Sequence, residues 1–251
     1  DIASPHVHEV IVEGTHNILK TAKKYGNLRT VCVSSAAAVG GTKIPHIQNE
    51  SEMFNLKSNR YAYVLAKVEA ENLCQQYAAK GLPIVTVNPT EVYGPGDTDL
   101  VTAKTLINFA KSIPVLITKG GTSIVHVEDV AQGILAAYKQ GGVGERYILG
   151  GDNLNFHELS ALTLEILKTK KPIINVPHIL VKLYIFLSNL LKLRRGINPA
   201  ALEYALLYWF MDNSKAQREL GIHFRSAKDT LVPTLKWLQE MNFIPRDERD
   251  A

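Results

Sequence analysis

The 251-residue chain lacks most of the features that would make its chemistry obvious. It has two cysteines, Cys32 and Cys74, both in apolar segments, with no CxxC and no Cys/His cluster. That argues against a thiolate zinc site and suits a reducing, cytoplasmic compartment. Charge of one sign is also scarce. Lys and Arg number 28 against 24 Asp and Glu, and a formal net charge of +4 gives no reason to invoke nucleic acid. There is no initiator methionine and no signal-peptide pattern, and the opening "DIASPHVHEVIVEGTHNILKTAKKYG" is already helix-like, so the chain reads as one that has lost its beginning. A glycine-rich turn between a first strand and its helix is missing too. Gly120-Gly121, Gly141-Gly142 and Gly150-Gly151 do not supply one. The longest apolar run, "HILVKLYIFLSNLLKLRRG", is broken by Lys182, Ser188 and Asn189 and is too short and polar to span a bilayer. The expectation there is a helix buried against the rest of its lobe, in preference to a membrane-surface helix flanked by Arg194 and Arg195.

What is present is a core. Hydrophobic residues make up 46% and charged residues 21%, enough for one large domain or a sheet domain with a smaller lobe. Val10, Ile11, Gly14, Ile18, Leu19 and Ala22 recur at helical spacing, with Gly26 as the stop. "LRTVCVSS" is a short β-rich run, residues 36–58 are loop-like, and a helix is expected from about Arg60 to Ala79. "LPIVTVNP" has the unbroken apolar character of a strand covered on both faces. "EVYGPGDTD" reads as a turn-rich loop, "LVTAKTLINFAKS" as a helix, "SIVHVEDVAQGILAAYKQGG" as a strand and a helix, and "ERYILGG" as a strand. Strands alternating with helices imply βαβ units and a parallel sheet over residues 1–150. From 151 to 251 the pattern is mostly helical and reads as a substrate lobe, with some interleaving. "NFHE" and "SKAQ" fit capping boxes, and Pro233 must sit in the first turn of the last helix or kink it.

Three features carry chemistry. Tyr63 and Lys67 are four apart, which puts them on one face of a helix. A phenol titrates near pH ~10, and a nearby ammonium favours its ionised form. Such a pair can exchange a proton with an alcohol or ketone oxygen, although the same spacing also decorates many helices. The run "VCVSS" places Ser34 and Ser35 at the carboxyl end of a strand, where parallel sheets bind ligands. A hydroxyl there orients a reacting oxygen, or simply caps the backbone. "VNPTEVYGPGD" runs a buried strand into a Gly/Pro loop that leaves backbone groups free to meet a planar ring.

Taken in order, "SSAAAVG", "YAYVLAK", "VNPTEVYGPGD", "VHVEDVAQGILAAY" and "GERYILGG" resemble an extended short-chain dehydrogenase/reductase. The nearest branch is the NAD-dependent epimerase/dehydratase family with a dihydroflavonol-reductase-like flavour. "VEGTHNILKTA" is similar to the helix before the serine strand, and "NSKAQRELGI" with "TLKWLQE" to the C-terminal end, so the resemblance covers almost the whole chain. It implies a Rossmann-type parallel sheet, N-terminally incomplete, with NAD or NADP as cofactor and a small-molecule substrate. It assigns Tyr63 as acid/base, Lys67 to the nicotinamide ribose and to lowering the Tyr63 pKa, and Ser35, before Ser34, to the substrate oxygen. Pro89 and Val92 would be weaker cofactor contacts, and a homodimer through the Tyr63 helix is common in such relatives. The chain departs from the pattern at Ala66, where a Ser is usual, and at Ile11, where an Asn is usual. Lacking the glycine-rich pyrophosphate turn, these residues alone should bind dinucleotide weakly and leave a sheet edge open. The activity implied is hydride transfer to or from a carbinol or carbonyl carbon. Epimerase or dehydratase chemistry on a nucleotide sugar, or a non-catalytic cofactor sensor, are the alternatives.

Other candidates have simpler readings. His126 is expected to be a satisfied core residue, Asp129 a helix cap, and Glu91 a solvated loop carboxylate. Tyr204, Tyr208, Trp209 and Phe210 could pack a core or form an apolar substrate wall, the second being slightly favoured. Tyr61 points to a different helix face from Lys67.

Overall fold

The computed structural model describes residues 6–56, 62–191 and 198–245. Tyr61, Arg194, Arg195 and the start of the helix expected near Arg60 therefore lie outside the described residues. The chain enters through α1 (His6–His8), a π-helical stretch (Glu9–Glu13) and α2 (Gly14–Lys24). Leu19 and Ala22 are buried as the spacing predicts, but Val10 and Ile18 are exposed, so Val12 joins the inner face instead. β1 (Thr30–Val33) and β2 (Ile47–Gln48) follow, then α3 (Ala62–Ala79), β3 (Ile84–Pro89), β4 (Glu91–Tyr93) and α4 (Ala103–Lys111). The chain continues through β5 (Val115–Ile117), β6 (Gly121–His126), α5 (Val127–Gln140), β7 (Arg146–Leu149) and β8 (Asn153–Asn155). The remainder comprises α6 (Phe156–Ile166), β9 (Ile173–Asn175), α7 (His178–Leu190), α8 (Pro199–Ala205), β10 (Tyr208–Met211), α9 (Ser214–Leu220) and α10 (Ala227–Glu240).

The sheet that positions the site has the order β1-β3-β7, all parallel, with Cys32 opposite Thr86 and Asn88 opposite Ile148. Every residue of β3 is buried, because α2 and α3 cover one face and α5 and α9 the other. That double cover explains an apolar run without alternation. The arrangement is the Rossmann-type fold expected. Among the described residues β3 is the only partner of β1, and Val33 on that open edge is exposed.

A second sheet runs β2-β10-β6-β4, with β8 antiparallel on β6, and β5 pairs β9. Six of these strands, all but β6, were not expected as strands. β2 falls in the stretch 36–58 expected as loop, "EVY" is β4 rather than part of a loop, and β5, β8, β9 and β10 lie in segments expected as connections or helix. β10 pairs in parallel with β6, and α9 packs on α5, so residues 208–220 return to the sheet body. The Asn155–Glu158 capping box forms. The expected Ser214–Gln217 box does not: Asp212 accepts from the Ser214 amide at 2.9 Å instead. Pro233 lies inside α10 rather than in its first turn.

Candidate active site

Ser35 leaves β1 in an extended conformation and caps the 3-10 turn at Ala36–Ala38, its hydroxyl accepting from the Ala37 amide at 3.2 Å. Tyr63, in the first turn of α3, faces the Ser35 side chain, which acts to lower the phenol's pKa. The structure thus brings Ser35 and Tyr63 together from a strand end and a helix start. Lys67, one turn on, points its Nζ at the Val33 carbonyl at 3.1 Å and lies 5.8 Å from the centre of the Tyr63 ring. The electrostatics differ from the expectation. Burial raises the Tyr63 phenol above its ordinary value, and only the Ser35 side chain opposes it. The Lys67 ammonium is itself lowered by burial, and it acts on Cys32 and Glu71 instead of lowering the phenol. The reason is placement: the ammonium sits against the β1 carbonyl, not at the phenol oxygen. Tyr63 is therefore held neutral, in the form that donates a proton.

The position of Ser35 depends on residues that sequence reasoning passed over. Asn88 Nδ2 donates to the Ser35 carbonyl at 2.9 Å and to Glu71 Oε1 at 2.5 Å. Glu71 is buried on α3 and pairs with Arg146 at 3.3 Å, and Arg146 also donates to the carbonyls of Glu50 and Glu52. The chain Arg146–Glu71–Asn88–Ser35 ties β7, α3 and β3 to the serine turn. One signal was available: Tyr63, Lys67 and Glu71 follow one another at four-residue spacing, so the carboxylate shares the face of Tyr63 and Lys67. Asn88 Oδ1 and Ser34 Oγ are buried without a hydrogen-bond partner among the described residues. They sit at the carboxyl ends of β3 and β1.

The far wall is apolar. Ala37, Val64, Leu207 and Trp209 form one cluster, against which Tyr63, Phe54 and Leu56 pack. Trp209 stacks on Tyr204 with ring centres 4.0 Å apart and donates its indole N–H to the Tyr204 carbonyl at 3.0 Å. A Cβ on Gly41 would stand 3.1 Å from the Trp209 ring, so glycine is what lets the loop cross the indole face. Tyr208 and Phe210 contact each other edge-on at 5.4 Å. Pro89 is buried at the end of β3, and Val92 packs against the sheet core while its carbonyl accepts from Thr102 at 2.6 Å.

The remaining candidates resolve differently. Glu91 is not a solvated loop group. It lies in β4 and accepts from the Tyr93 hydroxyl at 2.7 Å, and burial raises its pKa from the ordinary carboxylate value. His126 is buried and caps α5 by accepting from the Glu128 amide at 3.2 Å, in contact with Arg225. Burial, then the Arg225 charge, lowers its pKa. The cap is thus His126 rather than Asp129, which accepts from the Arg225 amide at 2.9 Å and pairs with its guanidinium at 3.6 Å. No cluster of His, Cys, Asp and Glu among the described residues could hold a metal ion.

A doubly covered parallel sheet with polar side chains gathered at its carboxyl ends defines a Rossmann-type class of protein. Residues 3–150 match the NAD dependent epimerase/dehydratase family, and the chain belongs to that family. It is 30% identical over 242 residues to a "Putative dihydroflavonol 4-reductase" of Synechocystis, across 93% of this chain and 71% of that one. A nucleoside-diphosphate-sugar epimerase from Pseudomonas aeruginosa superposes with a TM-score of 0.79 at 22% identity, covering 95% of this chain and 76% of the other. The dTDP-glucose 4,6-dehydratase of Bacillus anthracis, solved with NAD, gives 0.71 at 19% identity, covering 93% and 68%. These two establish the fold. The activity class is NAD(P)-dependent reductase, epimerase or dehydratase. No described helix is long and apolar enough to cross a membrane.

Proposed function

We propose that the protein is an NAD(P)-dependent reductase acting on a carbonyl, or the matching carbinol, of a small substrate seated against Trp209 and Leu207. The observation that carries this reading is the placing of the Ser35 side chain against the Tyr63 phenol just past the carboxyl end of β1. The Synechocystis relative is itself named for a reductase.

The residues present suit the nicotinamide end of the cofactor. The half-buried Lys67 uses one of its three donors on Val33 among the hydrogen bonds described, leaving capacity for ribose hydroxyls. Orphaned Ser34 Oγ and Asn88 Oδ1 lie at the strand ends beside it, and Pro89 and Val92 would flank the ring. The bound dinucleotide supplies or accepts the hydride. The protein's own residues do the rest. In reduction, Ser35 holds the carbonyl oxygen, the Tyr63 O–H bond breaks, and its proton forms the new O–H of the alcohol as the hydride adds to carbon. The Tyr63 phenolate left behind is stabilised by the Ser35 hydroxyl, then reprotonates from solvent. The raised phenol pKa keeps the donor loaded across the neutral range.

Tyr63→Phe in the full-length protein should lower kcat by about 10²–10⁴-fold while cofactor affinity changes little. Turnover at the parent rate would reject the assignment.

A further inference from the structure

α7 carries two apolar stripes where an ordinary surface helix carries one. Val181, Ile185 and Ser188, spaced four and three apart, are buried, and the first two close on Leu206, Leu202 and Val176. The expectation of a buried helix holds for this stripe alone. At ~100° per residue, Ile179, Leu180, Leu183, Phe186, Leu187 and Leu190 form a second stripe about 120° wide on the other side. All six are exposed, Phe186 at 62% and Leu190 at 64%. Few soluble surfaces leave so continuous an apolar strip uncovered.

Charge accompanies the strip. Lys182 of α7, Lys119 before β6 and Lys43 after β1 line a groove of about 650 Å³ together with Phe186 and Leu190, and Glu203 is the one acidic residue among the described residues that line it. A protein partner would cover leucines with more apolar groups and gain nothing from lysines level with them. A second copy packed symmetrically on this face would bring the same lysines together and repel. The layered chemistry of an anionic bilayer surface fits both features, acyl chains under the stripe and headgroups at the ammonium groups. A thirteen-residue helix, ~20 Å long, is suited to lying in that interface and too short to cross it.

We propose that α7 docks the protein on an anionic phospholipid surface, with its outer stripe in the acyl boundary and Lys43, Lys119 and Lys182 at the headgroups. Leu207 lines this groove and also belongs to the cluster against which Tyr63 packs, so one residue joins the groove to the wall beside Tyr63.

The test is co-sedimentation of full-length protein with vesicles of phosphatidylcholine alone or of phosphatidylcholine mixed with phosphatidylglycerol. Binding should favour the mixed vesicles and weaken with salt. Phe186→Glu with Leu190→Glu should weaken it at least about tenfold. Lys43→Gln, Lys119→Gln and Lys182→Gln together should abolish the preference for the anionic vesicles. Phe186→Trp keeps the stripe apolar, and the indole emission it adds to that of the parent should shift to the blue on mixing with anionic vesicles. Failure to bind either vesicle at low salt, an added emission that vesicles leave unshifted, or undiminished binding by the double variant would overturn the proposal. So would concentration-dependent self-association that the double variant abolishes, which would assign the face to a second copy.

Discussion

α3 and α7 break the same rule in opposite directions. α3 turns Tyr63, Lys67 and Glu71 inward, where each loses hydration, while α7 turns leucines and a phenylalanine outward, where each gains none of the burial it could have. Polar residues inside and apolar residues outside are the informative exceptions to ordinary packing. On α3 the cost is offset by partners: Glu71 has Asn88 and Arg146, Tyr63 has Ser35, and Lys67 has Val33. On α7 nothing among the described residues covers the outer stripe. One helix therefore keeps its exceptions in an internal network, the other on its surface.

This contrast predicts graded consequences. Trp209→Ala should be the most damaging, costing about 3–5 kcal/mol, because it empties the space shared by Tyr63, Ala37 and Val64. Urea unfolding would read it, and a loss below about 1 kcal/mol would mean that the wall does not support α3. Glu71→Ala should follow at about 3 kcal/mol by leaving Arg146 without its counter-charge. It should also lower kcat more than a remote substitution of equal stability cost, since Asn88 then loses one of the two groups that fix it against Ser35.

Glu91→Gln should act in the other direction and more weakly. Burial raises this carboxyl, so the folded state keeps its proton to higher pH than the unfolded chain does. The stability linked to that proton is complete below the unfolded value and is lost as pH rises through the folded one. Removing the charge should therefore stabilise the protein by about 1 kcal/mol at neutral pH, with the gain vanishing in acid. Thermal midpoints across pH would check it, and a gain that persists in acid would mean that the Tyr93 contact, not the charge, dominates. Smallest of all should be Phe186→Glu with Leu190→Glu, within about 0.5 kcal/mol of the parent by the same assay, because neither side chain is buried by the chain itself.

Much of α3 and its sheet was legible from residue order because β3, β6 and β7 are buried runs bounded by turns, and because Tyr63 and Lys67 share a helical spacing. The supporting network was not. Arg146 meets Glu71 only through the register of β7 on β3, 75 positions away in sequence, and no local pattern encodes that pairing. β4, β5 and β9 have three residues each, too few to display a period. β10 was hidden because "YWFM" lies among helical segments, and its pairing with β6 joins positions far apart in the chain. The expected depression of the Tyr63 pKa failed for a finer reason: helical spacing places Lys67 on the right face but does not say which oxygen its ammonium will meet. On α7, the run read as apolar with breaks at Lys182, Ser188 and Asn189, and only its packing against α8 showed which stripe is buried.

The central claim is that Ser35 and Tyr63 work as one proton-transfer unit, and a double-mutant cycle on kcat/KM tests it most directly. Ser35→Ala, Tyr63→Phe and the pair would be compared in the full-length protein with saturating cofactor. Each single change should remove most of the activity, and the double change should cost little more than Tyr63→Phe alone. Losses that simply multiply, or a Ser35→Ala variant as active as the parent, would contradict it.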